Sequence, residues 1–265
     1  MNIIKNCKRI VVKIGTSTLT YQNGSLNLRR IEGLVKTLSD FKNAGHEIVI
    51  VSSGAVGAGY ARLSLSEYPK TLAAKQACAS VGQSQLMKIY DNFFSVYGHT
   101  VAQILMTKDV VDDKQRLQNV RNTFNTLIEM GCVPIVNEND SISSEEIRFG
   151  GNDTLSAYVG IACSADIIIN LSDIDGLYNK DPRKYPDAQL IDRVEKIDET
   201  IRSYAGGAGS ERGTGGMQAK LNAAEIASKS GIPMLIMNGE DPAKMYDILD
   251  GKHIGTYFAA VPAEV

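Results

Sequence analysis

Six near-continuous apolar runs recur along the chain: "RIVVKIG" from Arg9, "EIVIVSS" from Glu47, "TVAQILMT" from Thr100, "VPIVNEN" from Val133, "DIIINLSD" from Asp166 and "PMLIMNG" from Pro233. Runs this short, rich in Val and Ile, predict strands covered on both faces. Between most of them lie amphipathic stretches: Leu28 to Asn43, Thr71 to Val96, Lys114 to Met130, Thr154 to Ser164 and Met217 to Ser230. Their spacing predicts helices with one apolar face. The alternation predicts an α/β fold, a three-layer αβα sandwich around a mostly parallel sheet with right-handed crossovers. Residues 142–150 and 188–197 alternate more and predict a hairpin and an edge strand; "GTYFAAV" from Gly255 predicts one further strand.

Open sheets of this kind bind ligands beyond the carboxyl ends of their strands. The rule selects "KIGTS", "SSGAVGAG", "NENDS", "LSDIDGLYNKDP" and the glycine loop "RGTGGMQAK". All five are rich in Gly, Ser, Asn, Asp or Lys, whereas the strand centres are not. Polar groups gathered at one sheet edge point to a site rather than to a structural protein.

Length and charge narrow the class. A chain of 265 residues with 43% hydrophobic composition is ample for a buried core and suits one large α/β domain or two small ones; a single domain over residues 1–265 is expected. The formal net charge of −2 offers no basic excess for nucleic acid or for an anionic membrane. Cys7, Cys78, Cys132 and Cys163 lie far apart without metal-ligand spacing. Three of them sit in apolar segments and read as small core residues, as expected in a reducing cytoplasm. Lys5, Lys8, Arg9 and Lys13 interrupt any signal-peptide core. Residues 155–172 contain Asp166 and Asn170 and read as a buried helix and strand, not a membrane span. His46, His99 and His253 fall at turns and read as surface residues, with no Ser-His-Asp set or zinc site.

The motifs point to phosphate. The segment from Arg212 has three glycines within four residues and then Lys220 on a helical pattern, yet it lacks the G-K-[ST] of a P-loop. "SSGAVGAG" opens a helix and can present backbone N–H groups to an anion, although a tight turn explains Gly54 and Gly57 as well. It is not G-x-G-x-x-G, which disfavours a dinucleotide oxidoreductase. Lys13 interrupts an apolar strand; if buried, it needs an anion nearby, and if at an edge, its head is solvated. Gly15 beside it would let backbone approach a phosphate closely. Asn137, Glu138, Asn139, Asp140, Asn152 and Asp153 form two polar clusters that can recognise an ammonium and a carboxylate, or position lysines. Asp173 and Asp175 suit either a metal or a loop framing a nucleotide.

These pieces, in this order and over almost the full chain, resemble the amino-acid kinase family; "VVKIGTS", "VSSGAVGAG", "VPIVNENDS", "FGGNDTLSA", "LSDIDGLYNKDPR" and "GTGGMQAKLNAA" carry the resemblance. The pairing of "NEND" with "GTGGM…K" is similar to the branch that acts on L-glutamate. The resemblance implies ATP-dependent phosphorylation of the glutamate γ-carboxylate, the first step of proline biosynthesis. It implies that Lys13 and Lys220 contact the transferring phosphoryl group and that Asp153 holds both lysines. It assigns Ser53, Asp140 and Asn152 to glutamate. Ser172, Asp173 and the segment Thr214, Gly215, Gly216, Met217, Gln218, Ala219 and Lys220, with Lys13, would bind ATP, with Mg²⁺ on the phosphates rather than on a dedicated side-chain cluster. The family further implies a homo-oligomer, dimer or tetramer, and feedback inhibition by proline. Two departures stand out: the family's "GDND" is "GGND" here, so Gly151 replaces a carboxylate, and the C-terminal PUA domain of many members is expected to be absent. Other readings that fit are an acetylglutamate kinase-like or nucleoside monophosphate kinase-like member and a non-enzymatic nucleotide-binding regulator.

Overall fold

Every predicted apolar run forms a strand in the computed structural model, which describes residues 4, 6–21, 23–143, 151–205 and 216–261. The strands are β1 (Arg9–Ile14), β2 (Glu47–Ser52), β3 (Val101–Met106), β4 (Val133–Glu138), β5 (Ile167–Ser172), β6 (Arg193–Val194), β7 (Met234–Asn238) and β8 (Thr256–Phe258). They form one eight-stranded sheet in the order β3-β4-β2-β1-β5-β7-β8-β6. All neighbours run parallel except β7 and β8, which are antiparallel. The segment 188–197 supplies the short edge strand β6, as its alternation predicted. The predicted hairpin rests mostly on residues 144–150, outside the described residues.

The helices are the single turns α1 (Thr16–Leu19) and α5 (Asp109–Asp112), and α2 (Leu28–Asn43), α3 (Ala55–Arg62), α4 (Leu72–Val96), α6 (Lys114–Glu129), α7 (Asn152–Cys163), α8 (Glu199–Tyr204), α9 (Met217–Lys229) and α10 (Lys244–Leu249). They split into two layers because strand residues alternate between faces. Ile10, Val12 and Ile14 of β1 join Leu34, Leu38 and Phe41 of α2, Tyr90 and Phe94 of α4 and Met245 of α10. Val11 of β1 and Ile168 of β5 join Phe124 of α6, Leu155 and Val159 of α7 and Ala224 of α9.

β3 departs from its predicted coverage. It is an edge strand, and Gln103 and Leu105 are exposed while Ile104 and Met106 are buried. Of the cysteines, Cys78 and Cys163 are buried and Cys7 and Cys132 half-buried; all are free thiols. His46 and His99 are half-buried rather than on the surface, and a ring nitrogen of His46 hydrogen-bonds the Cys7 carbonyl at 2.8 Å. Among the described residues no helix is long and apolar enough to cross a membrane.

Backbone packing between α3 and α4 positions the β2 rim. A Cβ on Gly82 of α4 would stand 1.8 Å from the Ala55 carbonyl oxygen, and one on Gly59 of α3 would stand 1.8 Å from that of Cys78. Neither clash can be relieved by rotating a side chain. Gly33 of α2, by contrast, would meet nothing within 4 Å. We therefore expect Gly82→Ala to destabilise the fold by about 1–3 kcal/mol through overpacking. Gly33→Ala should stabilise it by about 0.5–1 kcal/mol through helix propensity. Urea midpoints of the two variants against wild type check the pair; the same sign for both would refute it.

Candidate active site

β1 lies at the centre of the sheet. From it the chain builds β2, β4 and β3 to one side, then crosses to β5 on the other. The carboxyl ends of β1, β2 and β5 therefore flank a topological switch point, where open α/β sheets bind ligands. The first polar cluster stands there.

Lys13 occupies the face of β1 that looks toward α7 and α9, one position after Val11 in the alternation, and is 5% exposed. Its ammonium meets Asp153 Oδ1 at 2.6 Å. Lys220, in the first turn of α9, is equally buried, and its Nζ lies 3.1 Å from Asp153 Oδ2. Asp153 belongs to the first turn of α7, where a helix dipole favours a carboxylate. Burial alone would raise the Asp153 carboxyl, but the Lys13 and Lys220 ammoniums and the hydrogen bonds from Lys13 and Asn170 outweigh it and hold the carboxyl at about 2. Burial pushes the Lys13 ammonium below its ordinary range; Asp153 opposes this and Lys220 adds to it. The trio of two cations and one anion carries a net positive charge in a buried place, which suits an anionic ligand. Lys13 is thus not at an edge. The open side of Gly15 adjoins it, since a Cβ there would stand 3.6 Å from Lys13 Nζ.

A second cluster surrounds Asn152. Its Nδ2 donates to the Ser52 carbonyl at 2.8 Å, to Ser53 Oγ at 3.0 Å and to Asn137 Oδ1 at 3.0 Å. One amide thereby ties α7 to the ends of β2 and β4. Asn137 in turn donates to Gln83 Oε1 of α4 at 2.9 Å. Gln83 also lines a small cleft with Ala55, Ala79, Glu138, Asn139 and Asp140. Asp140 thus lines the same cleft as Gln83, the partner of Asn137. Beneath them, the Ser52 hydroxyl pairs with the buried Tyr90 hydroxyl of α4 at 3.0 Å.

A third group sits beyond β5 and β7. Ser172 is buried, and its hydroxyl donates to the exposed Asp173 at 3.2 Å. Asp175 accepts from Asn238 at 2.9 Å and from Tyr178 at 3.0 Å, so its carboxylate closes the loop. Gly216 is the N-cap of α9 and places no side chain on the first-turn N–H groups. Met217 and Ala219 are half-buried; Gln218 is exposed and donates to Asn222 at 3.2 Å. Thr214 and Gly215 lie outside the described residues. Among the described residues, no three or more His, Cys, Asp or Glu side chains are grouped to hold a metal ion.

A switch-point cluster of two buried lysines on one aspartate marks an α/β protein with a place suited to an anionic ligand. The chain belongs to the amino acid kinase family, whose sequence pattern matches residues 8–238. Within that family it is 53% identical over 265 residues to the glutamate 5-kinase of Clostridium perfringens, with 98% of both chains covered. It is 52% identical over 258 residues to that of Clostridium tetani, with 97% of both covered. Among solved structures, the UMP kinase of Bacillus anthracis superposes with a TM-score of 0.64 at 17% identity, covering 96% of each chain, a likeness of fold alone.

Sequence reasoning missed two residues of this site. Asn170 stands inside an apolar run, and only the register, which sets it opposite Lys13, reveals its neighbours. Gln83 lies mid-helix in α4, with no local signal to separate it from a solvated position.

The Asp153 carboxyl, at about 2 against an ordinary 3.8, gives a signed pH dependence. A depressed carboxyl contributes stability that is present above its unfolded value and lost as pH falls through the folded one. The contribution is about 2 kcal/mol, lost mainly between about pH 4 and pH 2. In Asp153→Asn that part of the acid limb should vanish. At neutral pH the variant should be about 3–5 kcal/mol less stable, because two buried ammoniums lose their carboxylate. Urea unfolding of both proteins across that pH range checks this; parallel stability curves would refute it.

Proposed function

We propose that this chain works as a single kinase domain that transfers the γ-phosphoryl group of ATP to the γ-carboxylate of L-glutamate, opening proline biosynthesis. The observation that carries this reading is the Lys13–Asp153–Lys220 trio at the switch point, beside the polar rim around Asn152. The full-length likeness to glutamate 5-kinases supports the choice of acceptor.

The chemistry suits these residues. A glutamate side chain ionises near pH 4.3 and is already a nucleophile at neutral pH, so no catalytic base is required. The obstacle is bringing a carboxylate against a polyanionic triphosphate. Phosphoryl transfer depends mainly on positioning and charge stabilisation. Lys13 and Lys220 supply positive charge from opposite sides of Asp153, which keeps them apart and fixed. Ser53, Asn152 and Asp140 hold the amino acid, its ammonium toward Asp140. Ser172, Asp173 and the start of α9 frame the nucleotide, with first-turn N–H groups free of a side-chain cap and turned toward phosphate oxygens. Mg²⁺, when bound, neutralises phosphate charge; it keeps most of its waters and is held chiefly by the phosphates, so it needs no protein cage.

The test is a substrate panel of glutamate, aspartate, N-acetylglutamate and uridine monophosphate with ATP and Mg²⁺, read for every acceptor as ADP formed, with the acyl phosphate of the carboxylate acceptors also trapped as a hydroxamate. Glutamate should be the preferred acceptor; turnover of uridine monophosphate instead would overturn the reading. Lys220→Ala should lower kcat by about 10²–10³ with little change in the glutamate KM, the behaviour of a lost transition-state contact. Steady-state kinetics check this, and near-normal turnover would exclude the role. Asp140→Ala should instead raise the glutamate KM, while ATP affinity measured by calorimetry stays near wild type. Equal loss of both affinities would point to damaged folding.

A further inference from the structure

Asn170 is the polar exception in a buried strand. It is 0% exposed, and its Cα pairs with that of Lys13 across the β1–β5 ladder. Paired residues of adjacent strands project to the same face, so the amide stands beside the lysine, on the side of α7 and α9. Two residues earlier in β5, Ile168 faces the same layer and belongs to its apolar core. Asn170 Nδ2 donates to Asp153 Oδ1 at 2.8 Å, while its Oδ1 has no hydrogen-bond partner among the described residues. A buried amide satisfied on one side only is unfavourable compared with an aliphatic side chain. What the strand gains from the amide is the single bond to Asp153.

That bond has a geometric consequence. Asp153 Oδ1 receives both Lys13 and Asn170, whereas Oδ2 receives Lys220. The terminal torsion of an aspartate is broad. Rotation of the carboxylate would lengthen one ammonium contact as it shortened the other. A third donor from a fixed strand selects one rotation and holds both lysines at once.

We infer that Asn170 is a positioning residue for phosphoryl transfer, locking the Asp153 carboxylate in the rotation that aims Lys13 and Lys220 together. The inference rests on the proposed role of the two lysines. The charged groups facing this amide are Lys13 from β1, Asp153 from α7 and Lys220 from α9; Asp173, beyond the end of β5, acts on Lys13 through space. Ile236, opposite Asn170 on β7, is uncharged.

Two substitutions separate positioning from bulk. Asn170→Leu keeps a side chain of similar size and removes the donor. Its kcat should fall roughly tenfold or more, the scale of a small misplacement, with the KM values for glutamate and ATP within about twofold of wild type. Asn170→Asp keeps the shape. Ionised, it cannot donate and sets a second carboxylate against Asp153; protonated, it donates again. Its activity relative to wild type should therefore be lowest at alkaline pH and recover as pH falls, while the relative activity of the Leu variant stays flat. The assay is hydroxamate-trapped glutamyl phosphate from about pH 6 to pH 9, on variants whose urea midpoints show them folded. A Leu variant with wild-type kcat, a loss carried by KM, or an Asp variant whose relative activity ignores pH would overturn the inference. A wild-type chain that phosphorylates no glutamate would sink the functional reading instead. The crystal structure of Asn170→Leu then decides: a rotated Asp153 carboxylate with one lysine released supports the inference, and an unchanged trio refutes it.

Discussion

The ion trio of Lys13, Asp153 and Lys220 is the constraint on which the rest of the site depends. It joins the first strand, a middle helix and a late helix, residues separated by most of the chain. Two buried ammoniums would repel each other and pay heavily for lost hydration; a shared carboxylate at 2.6 and 3.1 Å makes the arrangement tolerable without neutralising it. The residual positive charge is therefore built in by folding, before any ligand arrives. In the proposed role of the two lysines this would be electrostatic preorganisation in its simplest form, completed when the protein folds.

The sheet separates two tasks by face. Toward α7 and α9 stand Lys13 and Asn170, both bonded to Asp153 Oδ1. Toward α4 stand Ser52 and Asn137, paired to Tyr90 and Gln83. Asn152 bridges the two, since it begins α7 next to Asp153 and bonds to the ends of β2 and β4. A displacement of α4 against the sheet would reach the rim through Gln83 and Tyr90. A displacement of α9 would reach it through Lys220. Rim and lysines thus meet at α7, where Asn152 and Asp153 are consecutive residues.

Much of this was legible in the sequence because the informative signals are exceptions to a pattern. Lys13 stands out because a lysine breaks an apolar strand, and the glycine-rich approach to α9 singles out Lys220. The strands were legible because burial on both faces leaves an unbroken apolar run; β3 misled for the same reason, since its composition resembles an interior strand although one face is exposed. Asn170 and Gln83 were not legible. Asn170 breaks its run as Lys13 does, but the meaning of the break depends on register with β1. Gln83 depends on the seating of α4 against β4. Gly151, which stands where the family pattern has a carboxylate, is accounted for by backbone: its φ of 121° and ψ of 164° lie in a region essentially reserved for glycine. A side chain there would be strained, and the amide of the neighbouring Asn152 bonds to Ser52, Ser53 and Asn137.

Helix starts carry the same logic one step further. The long helices α2, α4 and α6 are capped by the side chains of Asn27, Thr71 and Asp113, each accepting from a first-turn N–H. Such caps contribute about 1 kcal/mol apiece. The three helices that begin at the site do without them: α3, α7 and α9 start at Gly54, Gly151 and Gly216, with no side-chain cap. Two of these glycines also have positive φ, so the turn itself favours the residue. The stability given up is modest and local. In return, the N-cap residues place no side chain over the first-turn N–H groups, and a helix start of that kind and a buried lysine pair each favour an anion. A chain selected for stability alone would place Ser, Thr, Asn or Asp at these positions, as it does at α2, α4 and α6. Among the described helices of eight or more residues, the side-chain caps belong to α2, α4 and α6 and are missing from the three that begin beside the lysines, a division that suits an anion at the rim, although the short α5 and α10 lack such caps as well.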